Sequence, residues 1–140
     1  MNLRNAIATL GLLAMATTAA IAQPKIEKVP PVATSPASGK EMFNAYCAVC
    51  HGAGGKGDGP AAKALNKAPA NLTQLAAKNG NKFPDAVVSR YIAGDDAVAA
   101  HGTRDMPMWG QVFHSMGSSA AVDQLRIRNL TDYVKTLQAN

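Results

Sequence analysis

The apolar positions of this chain fall into blocks separated by glycine- and proline-rich intervals. The first block is continuous: from Ala6 to Ala20 the chain is apolar apart from small threonines. The later blocks are periodic. Phe43, Tyr46, Cys47 and Cys50 recur at i, i+3, i+4 and i+7, the repeat of one helix face. Val87, Val88, Tyr91 and Ile92 make a second such set, and Ile127, Leu130, Val134 and Leu137, with Tyr133 beside them, make a third. No stretch alternates apolar and polar with a period of two, so the pattern predicts an all-α fold.

End signals place these helices. Ser38-Gly39-Lys40-Glu41 has the capping-box form, with Ser38 at the N-cap and Glu41 three residues on. Pro84 suits a first helical position, Asp85 suits the positive helix end, and Gly94 suits a C-terminal stop, which predicts a helix over 84–93. The last helix is expected from Ser119 to Leu137, with Asp123 and Lys135 complementing its dipole. A short helix is expected over 72–78, and a long loop with one short helix over 95–117. Residues 52–60 hold glycines at 52, 54, 55, 57 and 59, a density that excludes a helix interior and lets the backbone turn tightly beside a bulky group. A phosphate-binding loop is the rival reading, but no Gly-Lys-Ser/Thr ending is present.

The N-terminus adds a compartment. Arg4, the apolar run of about 15 residues and Ala20-Ile21-Ala22 before Gln23 read as a secretory signal cleaved after Ala22. The expected destination is the periplasm. An uncleaved anchor is the alternative, although the run is short for a membrane span. No cysteine follows it to carry a lipid. Residues 23–37, with Pro24, Pro30, Pro31 and Pro36, read as a semi-extended linker outside the core. This leaves residues 38–140 as one domain.

Composition then narrows the chemistry. Aromatics are 5% of the chain, few for a domain of this size that must close its own core. Both cysteines lie in Cys47-Ala48-Val49-Cys50-His51, so none remains for a structural disulfide. This spacing is that of covalent c-type haem attachment. Two thiols on one helix face can add across the two vinyl groups, and the next imidazole lies close enough to ligate iron. A haem also supplies the missing apolar surface. A zinc site is the rival for Cys47, Cys50 and His51, but structural zinc needs four ligands, usually in two pairs, and His101 and His114 stand alone. A dithiol redox motif would lack its βαβ context.

Asp105-Met106-Pro107-Met108-Trp109-Gly110 offers two thioethers about 55 residues beyond His51. His/Met ligation raises a haem's reduction potential. His101 or His114 as a second imidazole is the alternative. Met42 and Met116 read as core filler. Trp109 reads either as a contact at the haem edge, with its indole N–H on a propionate, or as core packing. Arg90, Arg104 and Asn71 are weaker propionate candidates.

Net charge is +5, with 14 basic and 9 acidic residues; loss of Arg4 with the signal leaves +4. Two ionised propionates would bring this to roughly +2. That fits modest attraction to an acidic partner, and no basic run or basic-aromatic stripe points to nucleic acid.

Over residues 38–140 the chain resembles the class I, monohaem cytochrome c family. The resemblance rests on Cys47-Ala48-Val49-Cys50-His51-Gly52, Gly57-Asp58-Gly59-Pro60, Met106-Pro107 and the terminal helix around Leu130 and Tyr133. It implies one haem c attached through Cys47 and Cys50, with His51 and Met106 as the metal ligands. It also implies that Pro60 presents its carbonyl to the Nδ1–H of His51. The first helix should cross the last, with Gly39 and Phe43 against Leu130 and Tyr133. The implied function is single-electron transfer between redox partners rather than catalysis. The donor and acceptor would be other redox proteins, such as a dehydrogenase or a terminal reductase or oxidase. No membrane span remains after signal cleavage. A haem sensor or catalytic domain with a displaceable sixth ligand is the alternative.

Overall fold

The computed structural model describes residues 31–95 and 106–139. Helix α1 (Gly39–Met42), a π turn (Phe43–Cys47) and α2 (Ala48–His51) follow one another without interruption; α3 is Asp85–Ala93, α4 Trp109–Ser115 and α5 Ala120–Thr136. Single 3-10 turns stand at Ala62–Ala64, Leu72–Gln74 and Ala77–Asn79. No strand occurs among the described residues, as the periodicity predicts.

Helix α5 is the element on which α1, α3 and α4 all pack. Its start is set by Ser119, whose hydroxyl accepts the Val122 N–H. Ile127, Leu130 and Val134 form its buried stripe. Thr131 lies on the same stripe without an orphaned hydroxyl, because its Oγ1 donates to the Ile127 carbonyl at 2.8 Å. The crossing with α1 is close because residue 39 has no side chain. A β-carbon there would lie 2.9 Å from the Tyr133 β-carbon. One turn on, the Phe43 and Tyr133 rings meet at 5.2 Å, tilted by 54°. The expected pairing of Gly39 and Phe43 with the last helix is therefore present.

The Ser38 cap also forms, its hydroxyl accepting the Glu41 N–H at 3.2 Å. The capping box does not close on Ser38, however. Glu41 Oε1 accepts from the Ser35 N–H instead, which draws the preceding chain onto the helix.

That chain is the first departure from expectation. Residues 32–36, read from sequence as a linker outside the core, are held to the helices. Thr34 is buried. Arg126 Nη1 donates to Thr34 Oγ1 at 3.1 Å, Thr34 and Tyr46 share a hydroxyl contact of 2.8 Å, and Tyr46 donates to the Val32 carbonyl. Because Tyr46 gives its proton to Val32, Thr34 must give its own to Tyr46, so four groups form one oriented chain. Asn129 Nδ2 adds a bond to the Pro36 carbonyl at 2.7 Å.

Helix α3 begins one residue later than expected, with Pro84 at its N-cap, and ends at Gly94 in the left-handed conformation. Its buried stripe is narrower than the sequence suggests. Ile92 is buried and Val88 packs against the core, whereas Val87 and Tyr91 are 41% and 36% exposed. A nine-residue helix resting on α5 and α4 presents one i, i+4 row to them; the adjacent row faces out.

The helix expected over 72–78 is replaced by two 3-10 turns. The cause is competition for its backbone. The Leu72 N–H, which a helix starting here would leave without a partner, donates to the Gly55 carbonyl at 2.7 Å and only anchors the start of the segment. The Ala76 N–H and the Leu72 carbonyl, which would pair in an α turn, both bond to the Gln138 carboxamide instead.

Candidate haem-binding site

The three residues of the motif end the first helical run. The π turn closes with the Ala48 N–H on the Phe43 carbonyl. That wide turn ends at Cys47, which caps the short α turn bearing Cys50 and His51. A π turn adds a residue to its coil and so shifts the following side chains around the axis. Periodicity alone indicated a continuous face here.

The helix end is enclosed by the glycine-rich loop. The last four helix carbonyls have no partner within the helix, and the loop supplies one for each. Gly52 N–H reaches Ala48, Ala61 reaches Val49, Gly59 reaches Cys50 and Gly57 reaches His51, over 2.8–3.1 Å. This needs glycines at specific places. A β-carbon at Gly59 would lie 2.5 Å from the Val49 oxygen, and one at Gly57 (φ 84°) 2.5 Å from the Pro69 oxygen. The loop thus wraps the helix terminus and brings residues 69–70 beside His51.

His51 Nδ1 lies 3.0 Å from the carbonyl oxygen of Ala70. This corrects one expectation: the carbonyl facing His51 belongs to Ala70, and Pro60 is an exposed residue ten positions earlier. With Nδ1 donating to Ala70, Nε2 is left as the acceptor nitrogen, the tautomer a metal needs. Burial pushes the His51 pKa below its ordinary value, while the Ala70 carbonyl acts in the opposite sense. Burial, with the neighbouring Cys50 second, pushes the Cys47 thiol up to about 12.

Ala70 is itself held in place. Asn71 caps the next turn, its Oδ1 accepting from the Thr73 N–H at 3.0 Å and the Thr73 hydroxyl at 2.7 Å. That bonding uses only the Asn71 oxygen; a propionate would take the Nδ2–H donors, which these bonds leave free.

Trp109 opens α4 and stacks on Tyr46, ring centres 5.1 Å apart, with Phe113 tilted against both. Tyr46 immediately precedes Cys47, so Trp109, partly buried, packs against the attachment helix from the side. Met108 caps α4 and lies against the end of α3, where a β-carbon on Gly94 would be 2.6 Å from the Met108 β-carbon. Met106, half-buried, precedes it by two residues. Met42 and Met116 pack in or against the core, as filler methionines should. His114 is 77% exposed at its side chain and faces Asp123 at 3.3 Å. His101 and Arg104 lie outside the described residues.

The donors suit a haem better than the rival groups. Cys47 and Cys50 are free, half-buried thiols on one short turn, next to an imidazole whose outer nitrogen is already committed. Among the described residues no cluster of three or more His, Cys, Asp or Glu is placed to hold a metal ion by itself. Sequence reasoning found the thiols and the imidazole from their spacing. It missed Ala70, whose contribution is a backbone carbonyl and so has no residue signature. The nearest signal was Asn71, a residue type that caps the turn following it.

The family model for cytochrome c matches residues 36–138. No curated protein and no solved structure matches the chain. The matched span begins at Pro36, close to where the chain becomes packed, and includes the attachment turn, the Ala70 carbonyl and the α1–α5 crossing. With those features already assembled around Cys47 and Cys50, the chain belongs to the cytochrome c family, a haem-binding electron-transfer protein that carries one haem c on these two cysteines.

Proposed function

We propose that the protein is an exported carrier of single electrons whose haem iron is ligated by His51 and Met106. The observation that carries this reading is the hydrogen bond from His51 Nδ1 to Ala70, which fixes the ring and leaves Nε2 for iron. The haem, when bound, supplies the ferric–ferrous couple. The residues around it attach it, orient its ligand and exclude water. A carbonyl on Nδ1 makes the imidazole more basic, while a thioether ligand would favour the ferrous state.

Met106 is favoured over Met108 because the Met108 side chain lies against Gly94, whereas Met106 sits at the Met-Pro step where the family resemblance puts the ligand. Trp109, stacked on Tyr46 next to Cys47, would offer its indole N–H to a propionate. Pro60 keeps no part in orienting His51. The signal-like residues 1–22 support export to the periplasm with cleavage after Ala22. No helix among the described residues is long and apolar enough to cross a membrane. Partners would be redox proteins, a dehydrogenase on one side or a terminal reductase or oxidase on the other, meeting through small, short-lived interfaces.

The test is an absorption spectrum of the protein made in a host that attaches haem c, oxidised and reduced, with carbon monoxide added to the reduced form. A low-spin spectrum with the weak ferric methionine–iron band, unchanged by carbon monoxide, is expected. A shift with carbon monoxide would replace this reading by a sensor or catalytic one with a displaceable ligand. Mass analysis of the secreted chain tests cleavage after Ala22.

A further inference from the structure

Gln138 lies near the C-terminal end of the chain, far in sequence from the haem motif. Its carboxamide inserts into the backbone of residues 72–76. Oε1 accepts the Ala76 N–H at 2.9 Å, and Nε2 donates to the Leu72 carbonyl at 2.8 Å and to the Val134 carbonyl at 2.9 Å. Leu72 C=O and Ala76 N–H are the pair that an α turn would join directly. One residue later, the Ala139 N–H donates to the Thr73 carbonyl at 2.9 Å. The side chain is partly buried, and its carbonyl and both its N–H groups are used.

The turn that Gln138 holds open continues upstream into Asn71 and Ala70. Ala70 presents its carbonyl to His51. On the opposite side the segment is tied by Leu72 N–H to Gly55 and confined by Gly57, which touches Pro69. We infer that Gln138 is a positioning residue for the iron ligand, holding residues 70–76 in the open turn that aims the Ala70 carbonyl at His51 Nδ1. This rests on His51 being an iron ligand. Helix α5, which anchors Gln138 through Val134, thereby sets the angle and length of the His51 hydrogen bond. Without the carboxamide, Leu72 and Ala76 can bond to each other and the turn tightens away from His51. A weaker bond at Nδ1 makes the imidazole less basic, favours the ferrous state and raises the potential.

The experiment compares the haem-loaded protein with Gln138→Met, which keeps the side-chain length and removes its hydrogen bonds, and with Gln138→Glu, which keeps only the acceptor for Ala76. A third variant, Ser119→Ala, loosens the same helix at its far end by removing a cap. Reduction potential, unfolding midpoint and hydrogen exchange of the His51 Nδ1 proton, followed by paramagnetic NMR, are measured on each. Both Gln138 variants are expected to raise the potential and to speed that exchange by up to roughly tenfold, the factor a hydrogen bond of this kind commands. Ser119→Ala should lower only the unfolding midpoint. The inference is overturned if Gln138→Met and Gln138→Glu lower stability with potential and exchange unchanged, or if Ser119→Ala moves both as far. Should either Gln138 variant not load haem, the other decides. A wild-type spectrum with no iron-shifted His51 ring would instead reject the ligation itself, and this inference with it.

Discussion

Gly39 faces the backbone of Asn129 so closely that a β-carbon at residue 39 would lie 2.8 Å from the Asn129 carbonyl carbon and overlap its oxygen. The obstacle is main chain in the middle of α5, so it cannot rotate aside. Gly39→Ala is therefore expected to push α1 off α5 and to cost about 2–3 kcal/mol. The midpoint of denaturant unfolding of the haem-loaded protein measures this. An unchanged midpoint would mean that the crossing is looser than the structure shows.

The two methionines near α4 should separate cleanly. Met106→Ala is expected to remove the thioether, lower the potential and let carbon monoxide bind the reduced haem. Met108→Ala should leave the spectrum intact and cost about 1–2 kcal/mol through lost packing on Gly94. Spectra with and without carbon monoxide, beside an unfolding curve for each, distinguish the roles. Loss of thioether ligation in Met108→Ala alone would reverse the assignment.

Tyr46 lies between the attachment turn and the segment at 32–36. Tyr46→Phe retains the stack on Trp109 and removes the hydroxyl between Thr34 and Val32. The expected cost is about 1 kcal/mol, with haem attachment unaffected and residues 31–37 cut sooner by a protease. Limited proteolysis followed by mass analysis reads this. Cleavage at the wild-type rate would show that the segment is held by Arg126 and Asn129 without Tyr46.

Lys135 Nζ and Asp85 Oδ1 are 2.8 Å apart on an exposed face joining α5 to α3. The hydrogen bond from Lys135 holds the Asp85 pKa below its usual value, and its counterpart holds the Lys135 pKa above its own. The Asp85 contribution is thus present above the ordinary carboxylate range and lost as pH falls through the lower folded value. The Lys135 contribution is present below the ordinary amine range and lost as pH rises through the higher folded value. Wild type should exceed Asp85→Asn in stability near neutral pH by a small margin. That margin should vanish at both extremes and shrink with salt, as befits a half-exposed pair. Unfolding curves across pH at two ionic strengths test it; an Asp85→Asn margin that persists in a Lys135→Met background would point to a helix-start effect of Asp85 instead.

Much of the fold was legible in the chain because helices advertise themselves locally. The Ile127, Leu130 and Val134 spacing, the Ser38 and Ser119 caps and the Gly94 stop all act within a few residues, and each forms. The α1–α5 pairing came from the family resemblance and is present as well. Where a tertiary partner competed for the same backbone, local signals failed. The helix expected at 72–78 yields to Gln138. The exposed row of Val87 and Tyr91 shows the same limit for α3, since periodicity marks an apolar face without showing how wide its neighbour is.

At the site the division is similar. The sequence by itself determined the attachment chemistry, because two thiols and an imidazole at fixed spacing on one short turn need nothing distant to define them. The tertiary structure decided which carbonyl meets His51, assigning Ala70 where Pro60 was expected. It also drew Thr34 into the core through Arg126 and Tyr46, and linked the chain's end to the site through Gln138. These are contacts of backbone groups and long polar side chains across the fold. Every residue but proline carries the same N–H and C=O, so which of them meet is settled by packing, not by residue type.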